Sequence, residues 1–163
     1  MNSKTLIWIR TVFLSIALIL SVVSPALGGS TALAQAGTSV PGGNVSGTWD
    51  AASSPYLIQG DITVPTGQTL TIEPGVQVLF QSWYKLTVNG TLLAQGTAAS
   101  PIHFTGASSS TYWLGIRFVN ASDASHLDHV IVENGRATGA DPLNKGGGIY
   151  IENTSPTISN STI

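Results

Sequence analysis

From Tyr56 onward, apolar and polar residues alternate in short runs, each broken by a turn signal. The stretch Thr69-Leu-Thr-Ile-Glu-Pro-Gly-Val-Gln-Val-Leu-Phe80 shows the pattern most clearly. Leu70 and Ile72 alternate with Thr69, Thr71 and Glu73, and Val76, Val78 and Phe80 resume the alternation beyond Pro74-Gly75. This predicts strand, sharp corner, strand, each strand with one buried face. The same grammar recurs in Tyr56 to Val64, Lys85 to Ala94, Pro101 to Thr105, Tyr112 to Val119, Leu127 to Glu133, Gly148 to Glu152 and Ser155 to Ile163. After the amino-terminal segment no stretch carries a helical period over three turns. Units this short cannot cover their own apolar faces, so each needs copies above and below it.

Spacing separates two ways of stacking such strands. The pairs Leu70/Ile72, Leu86/Val88 and Ile102/Phe104 recur at a 16-residue step, and Ile116/Phe118 and Ile149/Ile151 lie 33 apart. A drifting period with constant local grammar suits a solenoid whose turns vary in length while its strands stay in register. An antiparallel sandwich is the rival reading, since evenly spaced short strands predict that too. Only Asn89-Gly90 resembles a two-residue hairpin turn, which favours the solenoid. The expected fold is therefore all-β, a parallel β-helix with Leu70 under Leu86 and Ile72 under Val88. Corners would fall at Gly60, Gly75, Gly90, Gly96, Gly115 and Gly135, where freedom to take positive φ is useful, and Pro74 belongs at a corner because it cannot donate to a ladder.

Composition adds a boundary and a compartment. Lys4 and Arg10 precede an apolar run from Thr11 to Val23, then Pro25, Gly28 and Gly29, then Ala32-Leu-Ala34 and Ala34-Gln-Ala36. That order is the pattern of a secretory signal peptide over residues 1–36 with two small-residue cleavage sites; an uncleaved anchor is the alternative. Residues 37–48, small, polar and rich in Gly, are expected as a flexible linker, with the β-helix over 49–163. After cleavage four basic residues, Lys85, Arg117, Arg136 and Lys145, face eight acidic ones, a net charge of −4. Such a balance argues against nucleic acid or an anionic membrane surface as partner. The 163 residues contain no cysteine, which excludes disulfides, cysteine nucleophiles and cysteine-based metal sites.

Several of these segments, in order, resemble a known family. Gly60-Asp-Ile-Thr-Val64, Leu70-Thr-Ile-Glu-Pro-Gly-Val-Gln-Val78, Leu86-x-Val88-x-Gly-Thr-Leu92, Gly96-Thr97, Pro101-Ile-x-Phe-Thr105, Trp113-x-Gly-Ile-x-Phe118 and Leu127-x-His-Val130 are similar to the opening coils of bacterial secreted right-handed parallel β-helix proteins of the pectate-lyase-like superfamily. Gly147-Gly-Ile-Tyr-Ile151 with Ser155-Pro-Thr-Ile-Ser-Asn160 resembles one further coil. The resemblance implies a right-handed winding capped at the amino-terminal end. Enzymes of that superfamily use clustered Asp ligands for calcium, an Arg base, or several Asp on one sheet. Here Asp61, Asp123, Asp128 and Asp141 are scattered and Arg117 and Arg136 stand apart, so no catalytic pattern carries over.

Two clusters remain as candidate chemistry. Ser125-His-Leu-Asp-His129, followed by Glu133, offers His126, Asp128 and His129 as an acid/base or metal set. On a straight strand His126 and Asp128 share one face and His129 takes the other, so the three converge only through a bend; the structural alternative is an outer face plus a corner. The aromatics Trp49, Tyr56, Trp83, Tyr84, Tyr112 and Trp113 could supply a sugar-stacking platform. Against this, Trp49 suits a cap and Trp113 coil packing, which leaves Trp83, Tyr84 and Tyr112 as the carbohydrate-contact candidates. Five N-glycosylation acceptor patterns, at Asn44, Asn89, Asn120, Asn153 and Asn160, are attributed to composition in a Ser/Thr/Asn-rich chain. No cofactor and no resident metal are implied.

The expected function is an exported, non-catalytic scaffold or surface module contacting extracellular polysaccharide. A fragment of a polysaccharide lyase or glycoside hydrolase with catalytic coils downstream is the alternative. Ile163 ends in what reads as mid-coil, so the open row of backbone donors and acceptors there is expected to be covered by further chain, with end-to-end self-association as the other reading.

Overall fold

The computed structural model describes residues 37–163; the expected signal peptide lies outside them. Fifteen short strands make up the described fold: β1 (Thr38–Val40), β2 (Gly43–Asn44), β3 (Gly47–Trp49), β4 (Tyr56–Ile58), β5 (Ile62–Val64), β6 (Thr69–Ile72), β7 (Gln77–Phe80), β8 (Leu86–Val88), β9 (Thr91–Gln95), β10 (Ile102–Gly106), β11 (Ile116–Val119), β12 (His126–Asp128), β13 (Val130–Val132), β14 (Ile149–Glu152) and β15 (Thr157–Ser159). They form three five-stranded sheets: β1-β4-β7-β10-β13, β2-β5-β8-β11-β14 and β3-β6-β9-β12-β15. Every neighbouring pair is parallel. Each turn of chain thus gives one strand to each sheet in succession, which is a parallel β-helix of all-β class. The only helical element among the described residues is a 3₁₀ turn, Ala51–Ser53, capped by the Asp50 side chain.

Period-2 alternation puts every second side chain inside, and parallel register stacks like on like. In the second sheet Ile62, Leu86, Ile116 and Ile149 lie at equivalent positions, as do Val64, Val88, Phe118 and Ile151. The third sheet stacks Trp49, Ile72, Ala94, Leu127 and Ile158. The first stacks Tyr56, Val78, Phe104 and Val132. Ile58, Ile62, Val64, Leu70, Phe80, Leu86 and Phe104 are fully buried in one continuous core. Each such side chain contributes roughly 1.5–3 kcal/mol by leaving water.

The stacking partners differ from those the 16-residue step suggests. Leu70 lies on Leu92, not under Leu86, and Ile72 on Ala94, not under Val88. Leu70, Leu86 and Ile102 belong to β6, β8 and β10, which sit in the third, second and first sheets. A 16-residue step therefore advances the chain by two strands, one short of a full turn. The true rise shows in hydrogen bonds between equivalent corners: Lys85 donates to Asp61 across 24 residues, Asn89 to Val119 across 30, and Asn153 to Asn120 across 33. The 33-residue spacing of Ile116/Phe118 and Ile149/Ile151 is a whole turn, and these pairs do stack.

Two further differences follow from backbone geometry. Residues 37–48, expected as a linker, form β1, β2 and most of β3, because their backbone pairs with β4, β5 and β6 even where Gly and Ser bring no apolar side chain. The corner glycines divide into two kinds. Gly75 and Gly115 take φ of 81° and 78°, as expected. Gly90 is needed for closeness instead: a Cβ there would stand 2.3 Å from the carbonyl oxygens of both Gln68 and Pro65. Many left-handed corners go to non-glycine residues, namely Asn120, His129, Asn134, Asn153 and Asn160. Asn tolerates this region because its short amide bonds locally. Asn89-Gly90 is a corner between sheets, without positive φ, and no hairpin, since β8 and β9 lie in different sheets. Glu73-Pro74-Gly75 turns from the third sheet to the first, its amides at Glu73 and Gly75 donating to Trp49 and Ser100 in the turns on either side.

Candidate functional site

The links from the first sheet to the second leave the barrel at the same corner in successive turns, and they lengthen turn by turn: residues 81–85, 107–115 and 133–148. Trp83, Tyr112 and Arg136 come from these three links. The Trp83 and Tyr112 rings are tilted by 36° with centroids 5.8 Å apart, and the Arg136 guanidinium carbon lies 5.0 Å from the Tyr112 centroid. Both rings are about two-fifths exposed, at 43% and 38%. The three planar groups form a ladder along the solenoid axis, with steps close to the ~4.8 Å separation of neighbouring strands.

The ladder stands on a fixed base. Leu114 donates its N–H to the Tyr84 carbonyl at 2.8 Å, and Arg136 donates to the Trp113 carbonyl at 2.8 Å. Trp113, next in sequence to Tyr112, points the other way into the core. It is fully buried, stacks on Phe80 at 4.0 Å, and donates its indole N–H to the Glu133 carbonyl at 2.7 Å. The structure thus brings Trp83 and Tyr112 together, whereas Tyr84 is half-buried against the core and stays out of the ladder. Arg136 is the member that sequence reasoning passed over. Its distance from Tyr112 along the chain carries no periodic signal, because the turn lengths differ.

The other aromatics serve the fold. Trp49 stacks on Tyr56 at 4.5 Å and 10°, in the first two turns, and both rings are buried.

The histidine cluster is divided by its corner. Positive φ at His129 swings its ring back, so Nδ1 meets Asp128 Oδ2 at 3.1 Å. Asp128 Oδ1 accepts from the Ser159 hydroxyl at 2.7 Å and the Asn160 amide at 2.8 Å, one turn further on. His126 faces the Gln95 amide at 3.1 Å in the preceding turn. Among the described residues no group of three His, Asp or Glu side chains is arranged to hold a metal ion. Bonds from Ser159 and then Asn160, with His129 adding to them, hold the Asp128 carboxyl down at about 2. A depressed carboxylate pKa favours the folded state above the unfolded value, near 4, and this advantage disappears as pH falls through about 2. Carboxyl NMR titration is expected to find Asp128 still ionised at pH 3. The Asp128→Asn variant is expected to lose part of the wild-type fall in melting temperature between pH 4 and pH 2; an unchanged fall would separate Asp128 from acid stability.

The three other scattered aspartates are also engaged. Asp61 pairs with Lys85, Asp141 with Lys145, and Asp123 accepts from the Thr154 hydroxyl and the Ser155 amide. Arg117 is only 3% exposed, under the 133–148 link. Its guanidinium donates to the Pro142 carbonyl at 2.6 Å and the Lys145 carbonyl at 3.1 Å and lies 4.3 Å from the Tyr150 ring centroid. Burial pulls its pKa down, opposed by Tyr150 and Glu152. Arg117 is a clamp on that link.

These features define a parallel β-helix bearing a surface aromatic and arginine ladder, with no pocket found among the described residues. No family model matches the chain, and no solved structure matches it. It is 49% identical over 51 residues to protein bark beetle of Drosophila melanogaster, a stretch covering 31% of this chain. The chain spans about 2% of the length of that curated relative.

Proposed function

We propose that this chain is an exported, non-catalytic β-helix module that contacts extracellular carbohydrate through Trp83 and Tyr112. The observation that carries this reading is the pairing of two half-exposed aromatic rings, contributed by successive turns, on a base of backbone hydrogen bonds. Flat aromatic faces suit the apolar face of a pyranose ring, and a rigid base spares the ordering cost of binding. The amino-terminal charge and apolar pattern supports export. The ordered coil segments support kinship with the pectate-lyase-like superfamily, while the pairing of Asp61, Asp123, Asp128 and Asp141 with neighbours in the fold favours a module without catalysis in this segment.

A glycan array followed by calorimetry tests the reading. At least one saccharide is expected to bind, with Trp83→Ala weakening it about tenfold, or 1.4 kcal/mol, at an unchanged melting temperature. An array without a hit, or a hit indifferent to Trp83→Ala, would remove the proposal.

A further inference from the structure

We infer that the ladder selects a saccharide carrying an acid group, with Arg136 as the residue that reads the charge; this rests on the carbohydrate reading of Trp83 and Tyr112.

The four basic side chains among the described residues differ in how they are used. Lys85 is paired with Asp61, Lys145 with Asp141, and Arg117 is held beneath the 133–148 link by two carbonyls. Arg136 alone of these four is exposed with no carboxylate or carbonyl accepting from its guanidinium. Its contact is the Tyr112 ring, and a guanidinium over an aromatic face still has N–H donors at its edge for a bidentate oxyanion. An arginine kept only for solubility has no need of a fixed place above a ring.

Position strengthens the assignment. Trp83, Tyr112 and Arg136 occupy three consecutive turns at one corner, so a ligand lying along the solenoid axis passes both exposed rings before it reaches the cation. Apart from Arg136 the described residues carry a negative balance, eight acidic against three basic. Unspecific attraction of a polyanion is therefore weak, and preference for an acidic ligand would have to come from this place. Carboxylate and sulfate ester share the required chemistry, two oxygens at the spacing of the guanidinium edge.

Isothermal titration of the whole chain with three hexasaccharides of matched linkage, one neutral, one carboxylated and one sulfated, tests the inference. At low ionic strength at least one acidic probe is expected to bind tenfold or more tighter than the neutral one, and the ratio is expected to shrink as salt rises. Arg136→Gln is expected to abolish the preference, with Arg136→Lys falling between, at a melting temperature equal to the wild type. Whichever acidic probe binds tighter identifies the oxyanion. Equal binding of neutral and acidic probes, or a preference that survives Arg136→Gln, overturns the role of Arg136 and leaves the carbohydrate reading standing. Failure of all three probes to bind overturns both.

Discussion

Ile72→Asp is expected to unfold the solenoid at ambient temperature, whereas Gln77→Asp, five residues along, is expected to leave it standing. Ile72 is 1% exposed and stacks between Trp49 and Ala94 in the third sheet. A carboxylate there would lie among apolar side chains with no hydrogen-bond donor to receive it. An unpaired buried charge belongs to the class of changes that cost more than about 4 kcal/mol, a large part of the 5–15 kcal/mol that holds an ordinary domain together. Because neighbouring turns are stabilised mainly by one another, loss of one inner rung uncovers the turns on both sides. Gln77 opens β7, is exposed, and contributes to the ladder through its backbone. Its change to Asp should stay within about 0.5 kcal/mol. Thermal melts of the two variants check this contrast, and equal losses of melting temperature would overturn the inward and outward assignment.

Trp113→Ala is expected to cost about 3–5 kcal/mol, the range for deleting a buried large aromatic. Trp113 is fully buried against Phe80 and Phe104, and its indole N–H meets the Glu133 carbonyl at 2.7 Å. Removing it leaves a cavity between the third and fourth turns and takes away one of the donors that tie the 133–148 link to the corner. A local consequence should accompany the global one. Arg136 donates its amide to the Trp113 carbonyl, so faster hydrogen exchange at Arg136 is expected even where the variant remains folded. A melting temperature within a degree or two of the wild type would mean that Phe80 and Phe104 close the space, contrary to the rigidity assumed for the corner.

Much of the architecture was legible along the chain because a strand's period of two is local. Leu70 and Ile72 declare a buried face without reference to any other residue, and Glu73-Pro74-Gly75 declares a corner because Pro removes a donor and Gly permits positive φ. The stacking register was not legible. Turns of 24, 30 and 33 residues share no common step, so the tidy 16-residue spacing paired strands that belong to different sheets. The first turn was hidden for a related reason: β1 to β3 are held by backbone hydrogen bonds to the next turn, and backbone pairing leaves no mark in hydropathy.

The candidate site divides along the same line. Trp83 and Tyr112 stood out in the sequence as aromatics beside turns, but their contact depends on two links leaving the barrel at one corner. Arg136 had no signal at all until the third link was superposed on the other two. By itself the sequence determined that this chain is all-β, built of short strands with one buried face and sharp Gly, Pro and Asn corners, since those properties reside in single residues and their immediate neighbours. The tertiary structure alone decided which rungs touch and which side chains share a corner, because contact between turns depends on the summed lengths of the links, to which each residue contributes equally whatever its chemistry.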